Sequence, residues 1–222
     1  MGVQESIHDA GIDFETFTWN EMSTLCGPAI ARLTRELVLL QTDPPPGIVA
    51  FLDDEHDLSL WSAQIIGPEP FENGIFTVRI KIPPRYPFEP PTCQFVGKLI
   101  PYHPNIDPAG RICLDTLKSQ PAGSWSPAVS LPSLLLSLRS LLSDPNPDDG
   151  LVADISNQYK LNPNEWKAEA RRRVCAANKE CNRETADSNG RKRSFTETAS
   201  SKKNSTVTCE ETIQRLKGNS IV

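Results

Sequence analysis

The chain has 222 residues, of which 38% are hydrophobic and 23% charged; that is ordinary for a globular protein and excludes a fibrous or wholly disordered one. Net charge is −5, with five acids and no Lys or Arg in residues 1 to 22 and a net +3 in residues 176 to 222. The middle holds 14 basic and 17 acidic residues, a balance that argues against nucleic-acid binding.

The six cysteines (Cys26, Cys93, Cys113, Cys175, Cys181 and Cys209) form no CxxC pair, so neither a zinc site nor a disulfide framework is expected. The opening MGVQESIHDAGIDFETF has no basic n-region or apolar h-region, and no stretch approaches a membrane span. The expectation is a soluble protein of the nucleus or cytoplasm, without a membrane partner.

Residues 1–22 read as an acidic, disordered arm. From Pro28, the spacing of Ile30, Leu33, Leu37 and Leu40 predicts a helix, with Arg32, Arg35 and Glu36 off its apolar stripe. Asp43-Pro44-Pro45-Pro46-Gly47 ends it, because proline cannot continue the hydrogen-bond ladder. Four strands follow: Ile48 to Leu52, Leu60 to Ile66, Ile75 to Ile82 and Thr92 to Val96. Their short connections favour an antiparallel meander, since parallel neighbours need a longer crossover.

Pro83 to Pro91 has five prolines in nine residues and reads as a rigid loop. Residues 97 to 128 show no period, yet include His103, Asn105, Cys113 and Trp125, so function is expected there. Ser130 caps a helix with the stripe Leu131, Leu134, Leu135, Leu138, Leu141 and Leu142, ended by Asp144-Pro145-Asn146-Pro147. A third helix is expected from near Asp148 and Asp149, burying Leu151, Val152, Ile155 and Tyr159. A fourth opens at Asn162 with Pro163 in its first turn. The folded domain is set at residues 23–177, and residues 178–222 read as a disordered, basic Ser/Thr-rich tail. Within it, Arg191-Lys192-Arg193 with Lys202-Lys203 is a solvated basic run or a nuclear import signal.

The segment from Tyr102-His103-Pro104-Asn105 to Gly110-Arg111-Ile112-Cys113-Leu114-Asp115 resembles the active-site signature of E2 ubiquitin-conjugating enzymes. An HPN triplet is followed, eight residues past its asparagine, by the cysteine. The resemblance extends through Tyr86-Pro87-Phe88-Glu89-Pro90-Pro91, Trp125-Ser126-Pro127-Ala128 and Asp144-Pro145-Asn146-Pro147-Asp148-Asp149, and covers about residues 28 to 175. RLTREL, DPPPGI, GRICLD and SDPNPDD look most like the T class, the one linked to the Fanconi anaemia pathway. Ala122 and Ser126 depart from it, standing where that class has basic residues.

The resemblance implies the α+β UBC fold: an N-terminal helix, a four-stranded antiparallel meander and C-terminal helices. It implies ubiquitin accepted from an E1 as a thioester on Cys113 and passed to substrate lysine with a RING-type E3. A thiolate forms more readily than an alkoxide, which suits that acyl chemistry. Asn105 would stabilise the oxyanion or hold the loop. Asp149 would orient and deprotonate the lysine, whose ordinary pKa is near 10.4, with Asp115 beside it and His103 structural. Arg32 and Arg35 match the face offered to the E1. Phe88, Trp125, Ser126, Pro127 and Ala128 match the E3 surface, Leu136 the donor-ubiquitin contact, and Val49 the backside surface. No metal or cofactor is expected, since the E1 consumes the ATP, and the working form is expected to be a monomer. Rival readings are an inactive ubiquitin-binding variant, an enzyme for a ubiquitin-like protein, and a cysteine protease.

Overall fold

In the computed structural model, which describes residues 25–190, helix α1 (Gly27–Thr42) comes first. Its buried residues are Ala29, Leu33, Glu36 and Leu40. The stripe is therefore rotated from the expected one: Ile30 is exposed, and a carboxylate takes a core position. Glu36 tolerates burial because its oxygens accept from Arg32 Nε at 2.9 Å, Tyr86 Oη at 2.8 Å and the Leu131 amide at 3.3 Å. Burial first, and then the Glu36 carboxylate, push the Tyr86 hydroxyl well above its usual range.

Strands β1 (Ile48–Leu52), β2 (Leu60–Ile66), β3 (Ile75–Lys81) and β4 (Thr92–Val96) form one antiparallel sheet in the order β1-β2-β3-β4. Trp61 pairs with Ile80, and Ile80 with Cys93, so alternate residues of neighbouring strands share a face. On that face Ile48, Trp61, Ala63, Ile65, Phe76, Val78, Ile80 and Phe95 are buried. Cys93 lies there too, and burial pushes its thiol up to about 12.

Helix α2 (Leu131–Ser143) begins where Ser130 accepts from the Ser133 amide. All six leucines of the expected stripe are buried, and Leu131, Leu134, Leu135, Leu138 and Leu142 join the same core as the sheet, each worth about 2 kcal/mol in transferred surface. A 3-10 turn at Pro147–Asp149 follows, then α3 (Ala153–Leu161). The third helix thus starts later than expected, and Leu151 is exposed rather than buried.

Helix α4 (Pro163–Gly190) runs past the boundary expected at 177, so residues 178–190 are helix rather than tail. No proline or glycine interrupts residues 164–189, and Ala176, Ala177, Lys179, Glu180 and Arg183 favour helix. Asn178 also donates to the Asn73 carbonyl at 3.0 Å. No helix of the described residues is long and apolar enough to cross a membrane. The expected arm at 1–22, Cys209 and the basic run beyond Gly190 lie outside the described residues.

Candidate active site

The stretch without period, residues 97–128, is fixed by isolated bridges and side-chain anchors. Gln94 bridges Arg111, and Ile106 bridges both His103 and Ile112, which returns the chain beside itself. Gly110 makes the return possible. Its φ is +80°, and a Cβ there would lie 1.9 Å from the Phe95 carbonyl oxygen. Asp107 accepts from the Arg111 amide at 2.9 Å and pairs with its guanidinium. Cys113 then donates its amide to the Asn105 carbonyl at 2.9 Å.

His103 is fully buried, with ring contacts to Phe71 and Trp166. Nε2 lies 2.8 Å from the Leu141 carbonyl, and Nδ1 accepts from the Asn105 amide. Those partners fix the tautomer with the proton on Nε2. Burial lowers its pKa to about 4, so the ring is neutral at physiological pH.

Asn105 is equally enclosed. Nδ2 donates to the Asn146 carbonyl at 2.7 Å and the Asp149 carbonyl at 2.9 Å, while Oδ1 accepts from the Asn146 amide at 2.9 Å. Both amide hydrogens are thus spent on the segment that carries Asp149.

Cys113 is half-buried, and its thiol donates to Asp149 Oδ2 at 2.9 Å. Burial first, and then Asp149, push its pKa up, while Lys118 pulls it back. Asp149, half-exposed, is held below the usual carboxylate range by the Cys113 and Lys118 hydrogen bonds. Asp115 lies in the 3-10 turn after the cysteine, 64% exposed, with Lys118 Nζ 3.4 Å from its Oδ1.

Lys118 escaped the sequence reading. Its Nζ lies 2.8 Å from Asp149 Oδ2, which raises its own pKa. The available signal was the i, i+3 spacing of Asp115 and Lys118 just past the cysteine. Among the described residues, no group of three or more His, Cys, Asp or Glu is placed to hold a metal ion.

The surface candidates divide. Phe88 is 72% exposed, Pro127 and Ala128 are exposed, and Ser126 is half-buried. Trp125 is buried and donates Nε1 to the Pro87 carbonyl at 2.9 Å, so it joins the two loops from beneath. Arg32 likewise turns inward, pairing with Glu36 and donating to the Pro127 and Val129 carbonyls. Arg35 is exposed, Leu136 is exposed on the outer side of α2, and Val49 is half-buried on β1.

A helix followed by an antiparallel meander makes the scaffold, and a half-buried thiol beside a carboxylate on an irregular loop makes the candidate site. Residues 32–174 match the family described as "Ubiquitin-conjugating enzyme". The chain belongs to that family: it is an E2, a transferase working with ubiquitin, an E1 and E3 ligases.

Within the family its likeness is to the T class. It is 50% identical to ubiquitin-conjugating enzyme E2 T of Xenopus laevis over 135 residues, which is 60% of this chain and 69% of that protein. Against E2 T of Bos taurus it is 50% identical over 134 residues, with 60% and 67% covered. Against that of Danio rerio it is 49% identical over 135 residues, with 60% and 68% covered.

Proposed function

We propose that Cys113 is the thioester nucleophile of this E2 and that Asp149 manages the protons of transfer. The observation that carries the reading is the contact from the Cys113 thiol to Asp149 Oδ2, on a sulfur that solvent reaches. In charging, Sγ attacks the carbonyl carbon of the E1-bound ubiquitin. A C–S bond to Cys113 forms, the bond to the E1 cysteine breaks, and the Cys113 proton ends on the departing thiolate. In discharge, a neutral lysine amine attacks the same carbon and forms the C–N bond. Cys113 then leaves as thiolate, and the amine proton passes to it through Asp149.

Asn105 serves this site by holding the Asp149 segment, since both its amide hydrogens are donated there. His103 acts structurally, as its two nitrogens are engaged within the core. Asp115 keeps Lys118 company at the rim.

The E3 is of RING type and grips Phe88 with Ser126, Pro127 and Ala128. Supporting this, the two loops are exposed side by side and tied together by Trp125. Arg35 faces the E1, Leu136 the donor ubiquitin, and Val49 a second, non-covalent ubiquitin. The working form is a monomer. No cofactor takes part; the E1 spends the ATP.

The test is charging with E1, ATP and ubiquitin, read on non-reducing gels for wild type and Cys113→Ala. A thiol-sensitive band absent from the mutant supports the reading. A mutant that charges as well as wild type overturns it.

A further inference from the structure

Lys118 Nζ and the Cys113 thiol share one acceptor, Asp149 Oδ2, at 2.8 and 2.9 Å. Lys118 also reaches Asp115 Oδ1 at 3.4 Å. Among the described residues, Asp149 and Lys118 are the charged groups that act on the thiol. Asp148, next to Asp149, is paired with Lys160 at 2.7 Å, and Arg111 is paired with Asp107. The Lys118 side chain is 35% exposed, so its ion pair is partly solvated.

We infer that Lys118 is a positioning residue with opposite effects on the two half-reactions: its ammonium favours ionisation of Cys113 for charging, and its hold on Asp149 fills the place an acceptor amine must take for discharge. The inference rests on Cys113 being the acyl carrier.

The first effect follows from charge. A carboxylate within hydrogen-bond distance disfavours a thiolate, and a cation on that same carboxylate offsets it. The second follows from likeness. An acceptor lysine must reach Asp149 to lose its proton, and the side chain already there has the acceptor's own chemistry. A partly solvated ion pair of this kind is weak, so an arriving lysine displaces it. No bond to Lys118 forms or breaks in either step.

The experiment uses the full chain carrying Lys118→Met or Lys118→Arg. Alkylation of Cys113 by iodoacetamide is followed from about pH 6 to 10, with peptide mapping, because Cys26 and Cys175 are also exposed. Lys118→Met should move the rising limb of the pH–rate profile to higher pH and slow the reaction at pH 7 about fivefold, the scale of such a pair. Single-turnover discharge to free lysine should show a lower half-saturating lysine concentration in the same variant. Lys118→Arg, which keeps the charge, should follow wild type in both assays. An alkylation profile for Lys118→Met that superimposes on wild type, an unchanged lysine dependence, or an arginine variant behaving like the methionine one would overturn the inference. Alkylation needs no ubiquitin, so failure here is distinct from failure of Cys113 to charge.

Discussion

Two sets of polar side chains meet at the active-site loop and are held in opposite ways. His103 and Asn105 are buried, and every side-chain nitrogen and oxygen they carry has a partner within the chain. Cys113, Asp149 and Lys118 reach solvent and meet at a single carboxylate oxygen. A buried, satisfied amide is costly to redirect, because its partners would be left unpaired at about 1–3 kcal/mol each. The solvent-reaching trio rearranges at about 1 kcal/mol or less. Architecture therefore belongs to the first set and proton traffic to the second.

Asn105→Ala is the hardest blow to this division. It leaves the Asn146 amide and two carbonyls unpaired, and should cost about 4 kcal/mol of stability in urea unfolding. A loss below about 1 kcal/mol would move Asn105 into the second set. His103 gives the next effect. Its folded pKa of about 4 lies below the unfolded value of 6.5, so only the unfolded state takes up a proton between them. Stability is full above about pH 6.5 and falls as pH drops towards about 4, by on the order of 3 kcal/mol. The part of the slope between about pH 6.5 and 5 should vanish in His103→Gln.

Asp149→Ala probes the second set. Discharge to free lysine should slow about 100-fold, a typical acid–base contribution, while charging and the unfolding midpoint stay near wild type. An unchanged discharge rate would remove the proton role. Phe88→Ala should be the mildest to the fold, within about 0.5 kcal/mol. It should abolish RING-stimulated discharge yet keep basal discharge; if stimulation survives, the E3 surface lies elsewhere.

The same contrast explains what the sequence could reveal. The bounds of β1, β2 and β4 and the leucine stripe of α2 were legible because apolar periodicity decides them. Helix α1 was misread at Ile30 and Glu36, because a carboxylate can occupy a core position only when distant Tyr86 and Leu131 supply donors, and periodicity does not see those. The extension of α4 was hidden by polar composition, although no helix breaker interrupts it. At the site, the resemblance of the HPN-to-cysteine segment pointed to His103, Asn105 and Cys113, and that of Asp144-Pro145-Asn146-Pro147-Asp148-Asp149 pointed to Asp149. It did not show that Arg32 and Trp125 turn inward, which depends on carbonyls of Pro127, Val129 and Pro87. Nor did it point to Lys118, which matters only because Asp149, 31 residues away in sequence, closes on it.

The most direct test of the division replaces the sulfur with oxygen. Cys113→Ser, incubated with E1, ATP and ubiquitin, should form an adduct that survives reductant and is cleaved by alkali, as an oxygen ester must be. A reductant-sensitive adduct on that variant, mapped to Cys26 or Cys175, would show that another thiol carries the acyl group and that the Cys113–Asp149 pair does not.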